Sequence, residues 1–198
     1  MLKNYPLGES IKLFYYLVLT KFFYRKARLI RRPFYIRSKN LLSYQKGFTV
    51  GRYCRFDLGN GISKKGKTLI FGTDCKIGDR VHIVASQKVL FGNNCLVASN
   101  VFISDTSHGK YNELNQSSPE SFPDLRELTC SAVVIGDRVW IGENVAILPG
   151  VTIGNGVIIG ANTVVTKNVP NNSIYVGNPG KVIKKFNKHT NQWERINE

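Results

Sequence analysis

Acidic residues are scarce in this chain, which sets 13 Asp and Glu against 28 Lys and Arg for a formal charge of +15. So basic a surface suits an anionic partner, either a phosphate-bearing cofactor or a membrane surface. Nucleic acid is not expected, because no nucleic-acid-binding motif accompanies the charge. There are only four cysteines, with no CxxC pair, and three histidines with no close pair among them, which excludes a disulfide scaffold and a zinc site. Long apolar runs are missing too. The longest candidate, from Ile11 to Tyr24, is interrupted by Lys12, Thr20 and Lys21 and falls short of the about 20 residues that span a bilayer. It has no small-residue cleavage site and its positive charges follow it, against a secretory signal.

What the chain does have is a six-residue period. Across residues 135–170 the hexads read IGDRVW, IGENVA, ILPGVT, IGNGVI, IGANTV and VTKNVP. Ile135, Ile141, Ile147, Ile153, Ile159 and Val165 open them, and Val139, Val145, Val151, Val157, Thr163 and Val169 hold the fifth positions. A helix needs apolar residues three or four apart, and hairpin sheets need longer alternating runs. Neither template covers the stretch without a slip. A solenoid of very short strands does, each strand turning a corner and stacking its apolar column on the coils above and below. The run resembles the hexapeptide-repeat acyltransferases. That resemblance implies an all-β, left-handed parallel β-helix with three sides per coil, usually assembled as a trimer.

Looser hexads open at Val50 and Phe56, with Ile62 as a further candidate, then at Phe71, Ile77, Ile83, Phe91, Val97 and Ile103. Cys54, Cys75 and Cys95 fall at fifth positions, so they are expected to stack inward as free thiols in a reducing cytoplasm. The β-helix is therefore expected over residues 47–176, with an inserted loop at 109–128. Residues 61–68 spell GxxxxGKT, but that phosphate loop works only between a strand and a helix, and the residues that follow enter another coil. They are read as an exposed basic corner.

Residues 1–46 are basic and aromatic. Lys21, Arg25, Lys26, Arg28, Arg31, Arg32, Arg37 and Lys39 follow one another with no acid between them. A helix over about 10–30, stopped before Pro33, is expected. It has two compatible roles: a cap on the open end of the solenoid, or a peripheral anchor on the inner face of an anionic membrane. At the other end, residues 177–198 are expected to form a turn and a short helix, with Trp193 packing back.

The rhythm stops after Ile103, at Ser104-Asp105-Thr106-Ser107-His108-Gly109, and long irregular loops at such breaks are usually functional. By spacing His108 ends its hexad and projects outward at a coil edge. The run VASNVFISDTSHG is similar to the stretch carrying the catalytic histidine of maltose, galactoside and polysaccharide O-acetyltransferases. The resemblance thus implies acetyl transfer from acetyl-CoA to a sugar hydroxyl, with His108 as general base and no acyl-enzyme. An imidazole with an ordinary pKa of about 6.5 can take and return a proton near neutrality. The resemblance also implies a cofactor groove formed by Trp140, Gly142, Ala161, Thr166 and Lys167, with Lys181 and Lys184 meeting the phosphates. It implies no metal, a homotrimer, and a carbohydrate acceptor, polysaccharide or lipid-linked.

Two departures limit the transfer. Glu143 stands where relatives can carry serine, so only its backbone amide carries over. The acceptor-holding Asn and Asp of the galactoside enzymes fall on Gly78 and Ser86. Two alternatives stay open: N-acetylation of an amino sugar, and a non-catalytic assembly module.

Overall fold

The hexads coil into a three-faced parallel β-helix, seen in a computed structural model that describes residues 6–59, 66–112 and 114–196. One face stacks Leu29–Ile30, Thr49–Val50, Lys76–Ile77, Leu96–Val97, Trp140–Ile141, Ile158–Ile159 and Ser173–Gly177 in parallel. Among the described residues the second face has six strands and the third five, most coils contributing one short strand to each face. The six openers and six fifth positions of residues 135–170 are all buried, and all but Thr163 belong to the hydrophobic core, stacked from coil to coil on each of the three faces. Each such Val or Ile contributes roughly 1.5–3 kcal/mol by burial, and the period makes that gain recur at every corner.

Corners are closed by side chains reaching one coil on. Asn93 accepts the Thr73 N–H, Asp137 that of Asn93, Asn155 that of Asp137 and Asn171 that of Asn155, at 2.6–2.9 Å. The glycine before each step permits the close approach. A Cβ on Gly136 would lie 2.5 Å from Asn155 Oδ1 and 2.9 Å from its backbone nitrogen.

Cys54, Cys75 and Cys95 do point inward, each donating its thiol to the carbonyl of Gly78, Gly92 or Gly136 at 3.0–3.1 Å. Burial pushes the Cys54 thiol up to about 11, and contact with Cys75 together with burial pushes Cys95 up as well. These thiols act as small apolar groups.

Three expectations need correction. The solenoid begins at Leu29, a coil earlier than residue 47, because Ile30 and Ile36 face the core although the coil around them is aromatic and basic. The N-terminal helix, α1, is Leu7–Phe23 and stops well before residue 30. The C-terminal segment is not helical: Gly180–Asn187 and Gln192–Arg195 form an antiparallel hairpin that extends the first face, with Trp193 against Phe186 at 5.3 Å between ring centroids. Residues 61–65 of the GxxxxGKT stretch lie outside the described residues. Thr68 at its end is buried and leads into the strand Leu69–Phe71, not into a helix.

Asp57, on the second face, gathers Arg55 at 2.7 Å, His82 at 3.0 Å and Arg37 at 3.7 Å. Burial alone would raise its carboxyl, but hydrogen bonds from His82 and Arg55 outweigh that and hold it below its usual value. A depressed carboxylate stabilises the fold above its unfolded pKa of about 3.9, and the gain vanishes as pH falls through the folded value. Asp57→Asn should therefore cost about 1 kcal/mol at neutral pH, its partners being half exposed. Thermal midpoints measured down the pH scale should show the gap to wild type closing below about pH 4.

Candidate active site

After the second-face strand Phe102–Ser104 the chain leaves the coil. Thr106–His108 pairs antiparallel with Leu128–Cys130, His108 opposite Leu128, so the inserted loop hangs from a two-stranded ribbon. His108 is exposed, as its position in the hexad predicts. It sits on the ribbon, however, and not on a coil edge. The rhythm is lost four residues earlier, at Ser104, whose Oγ accepts the Thr106 N–H where the chain turns outward.

The ribbon is rooted by Asp105, which is fully buried. Its carboxylate accepts the backbone N–H groups of Ser86, Gln87 and Lys88 at 2.7–2.9 Å and the Thr106 hydroxyl at 2.7 Å. With that proton on the carboxylate, Thr106 Oγ1 accepts from the Ser86 hydroxyl at 2.7 Å, which ties the ribbon to the coil below. Side chains alternate along a strand, so His108 shares the Thr106 side and Ser107 faces the other way.

The loop is folded on itself. Arg126 bonds Tyr111 Oη, Ser121 Oγ and the Ser121 carbonyl at 2.8–2.9 Å, while Tyr111 Oη donates to the His108 carbonyl at 2.5 Å. Gly109, at φ +104°, allows the chain to double back there. Among the described residues no side chain hydrogen-bonds the His108 ring, which leaves both nitrogens open to solvent or substrate.

Beside the ribbon lies a groove of about 340 Å³ lined by Ser107, Lys110, Tyr111, Leu148, Pro149 and Thr166 among others. Thr166 and Lys167 are exposed at the corner after the second face, in the same column as Leu148. The remaining residues singled out in the sequence lie elsewhere. Gly142 and Ala161 stack at the opposite edge of the second face. Trp140, half exposed, stands on the first face in register with Leu96, Ile158, Ile174 and Lys184. Lys181 pairs with Val176 on that same face. One protomer therefore places the ribbon and Thr166 with Lys167 at one edge of the second face, with Ser107 and not His108 turned toward the groove, and Trp140, Gly142, Ala161 and the two lysines on the first face and at the other edge.

Gly142 is itself buried and donates its N–H to the Ile159 carbonyl at 2.8 Å. A Cβ there would meet Ala161 N at 2.7 Å. Its contribution is coil packing, and its amide is not available to a ligand. The N–H groups of the next corner positions, Glu143 and Ala161, have no hydrogen-bond partner among the described residues.

Sequence reasoning missed Asp105 and the Arg126–Tyr111 staple. A polar residue at the third place of a hexad is ordinary, and nothing local marks this one as buried. No cluster of three or more His, Cys, Asp or Glu side chains among the described residues could hold a metal ion.

The comparisons with known proteins match the repeat reading. The bacterial transferase hexapeptide family, in its six-repeat form, matches residues 132–167. WbbJ of Escherichia coli K12, whose name assigns it O-acetyl transfer in lipopolysaccharide biosynthesis, is 43% identical over 98% of this chain and 96% of its own. The galactoside O-acetyltransferase of the same organism is 37% identical over 62% of this chain and 56% of that protein. Among solved structures, AntD, an N-acyltransferase from Bacillus cereus in complex with dTDP and 3-hydroxybutyryl-CoA, has a TM-score of 0.68 at 18% identity. It covers 84% of this chain and 83% of its own, a likeness of fold. With a relative 43% identical along almost its whole length, the chain belongs to the hexapeptide-repeat transferase family, among its O-acetyltransferases.

Proposed function

We propose that the protein moves an acetyl group from acetyl-CoA to a sugar hydroxyl of a surface polysaccharide or of its lipid-linked precursor. The observation that carries this reading is an exposed imidazole, without a hydrogen-bond partner among the described residues, held on a ribbon that is rooted by Asp105 and whose Ser107 side borders a groove reaching Thr166. His108 takes the hydroxyl proton as the sugar oxygen attacks the thioester carbonyl. The tetrahedral adduct collapses, the C–S bond breaks, and the imidazolium returns the proton to the departing CoA thiolate. The N–H of Glu143 or Ala161 stabilises the developing oxyanion. Trp140 lies along the pantetheine arm, Thr166 and Lys167 line the groove, and Lys181 and Lys184 meet the cofactor phosphates. Gly142 shapes the corner without donating.

These groups occupy two edges of the second face, so one protomer cannot present them to a single CoA. A threefold assembly reconciles them by setting the His108 edge of one copy against the Trp140 edge of the next. Dilution below the assembly threshold should therefore remove activity, checked by following turnover and sedimentation together. A monomer that turns over at full rate would sink the idea.

The test of the activity is free-CoA release from acetyl-CoA across a panel of cell-wall, capsule and O-antigen glycans. Acceptor-dependent release is expected, with acetate freed from the product by mild alkali, as an ester requires. The alkali step also tests the second reading, favoured by the fold shared with the N-acyltransferase AntD. A product that resists alkali is an amide, and would move the acceptor to an amino sugar.

A further inference from the structure

Helix α1, Leu7–Phe23, has its polarity reversed for a cap exposed to water. Its inner side meets the first coils through buried Leu13 and Thr20, Thr20 Oγ1 accepts the Ile30 N–H at 2.9 Å, and Glu9 pairs with Arg52 at 2.7 Å. Its outer side carries Leu7, Ile11, Phe14, Val18 and Phe22, exposed at 78%, 61%, 65%, 51% and 79%. At about 100° per residue these five fall within an arc of about 80°. That arc lies on the side away from Leu13 and Thr20. A terminal cap that faces water needs a polar outer side, so capping explains the inner side only.

We propose that α1 docks this protein on an anionic lipid bilayer, its outer stripe entering the acyl boundary and the flanking basic residues meeting the headgroups. Charge identifies the occupant. Between Glu9 and Asp57 the chain has twelve Lys and Arg and no acid. Lys21 adjoins the stripe, and Arg25 and Lys26 follow the helix, all three exposed. This pairing of an apolar stripe with basic flanks is what binds a helix in the plane of an interface. No helix among the described residues is long and apolar enough to cross a membrane. A second copy of the chain fits worse, since it would bring two equally basic ends together.

The bilayer then lies across the N-terminal end of the solenoid. Along the second face Tyr35, Arg55, His82 and Phe102 are in register, each strand about 4.8 Å from the last. Taken with the acetyl-transfer reading, this holds the His108 coil about 15 Å above the first coil, within reach of a short glycan on a lipid carrier.

The test is sedimentation of the full chain with vesicles of phosphatidylcholine alone or with about a third phosphatidylglycerol. Binding to the anionic vesicles is expected, weakening with salt. Phe14→Glu with Val18→Glu should lower the partition at least about tenfold. Arg25→Glu with Lys26→Glu should remove most of the salt-sensitive part. Both double variants alter exposed positions, so the thermal midpoint and turnover on a soluble acceptor should stay at wild-type values, which separates this proposal from the activity. Absence of binding to any vesicle overturns it, as does binding that survives the Phe14/Val18 variant. A change of oligomeric state in that variant, with lipid binding intact, would assign the stripe to a second copy.

Discussion

Replacing His108 by alanine should lower acceptor-dependent CoA release by at least about a hundredfold, the scale at which a positioned general base acts. The fold should not notice. The ring is exposed and makes no hydrogen bond among the described residues, so its removal leaves no cavity and no orphaned partner. The thermal midpoint should stay within about a degree or two of wild type. His108→Gln keeps a polar group of similar reach but cannot accept and return the proton, so it should be nearly as slow. A loss of kcat with KM for acetyl-CoA little changed is the expected pattern, because the groove residues that would hold the cofactor are untouched. Equal release from wild type and both variants would remove His108 from the chemistry while leaving the fold assignment standing.

How far the sequence carried the structure depended on what each residue has to do. Ile135 through Val169 could be read because every coil imposes the same demand, an inward apolar side chain at two fixed places. The first coil could not, since Arg31, Arg32 and Pro33 interrupt the hexad and its core is made of aromatics. Tyr24, Phe34, Tyr44 and Phe48 pack with Phe56 and Phe71 where later coils use Val and Ile. The C-terminal hairpin left a signal that was missed. Burial alternates from Gly180 to Phe186, and Asn187 and Asn191 bracket the turn, Asn187 Oδ1 accepting the His189 N–H at 2.9 Å and Asn191 at φ +54°. The exposure of His108 was legible from its place at the end of a hexad. The role of Gly142 was not, because whether an amide is free depends on the coil stacked above it, and here Ile159 takes it.

Asp105 is the clearest case of a residue that only the fold reveals, and its removal should be the most damaging single change near the site. Asp105→Ala would leave the N–H groups of Ser86, Gln87 and Lys88 without the carboxylate that accepts them, the Ser86 bond being buried and the other two partly buried. A hydrogen bond to a charged group is worth about 1.5–3 kcal/mol, and the three share one carboxylate, so the sum is smaller than three separate losses. A total of about 3–5 kcal/mol is expected, a large part of the 5–15 kcal/mol that holds an ordinary domain together. For a chain of this length that corresponds to a fall of about 6–20 °C in the thermal midpoint.

Asp105→Asn should fall between Ala and wild type, because its amide oxygen can still serve Gln87 and Lys88. Its NH2 would face the Ser86 N–H, while the Thr106 hydroxyl can turn to accept from it. Activity should follow the same order at temperatures where all three proteins remain folded, since the ribbon bearing His108 is rooted through Asp105 and Thr106. Misplacing a general base lowers kcat more than it raises KM. If Asp105→Asn melts early yet turns over at the wild-type rate, Asp105 supports the coil alone and the position of His108 is set by the Arg126–Tyr111 staple.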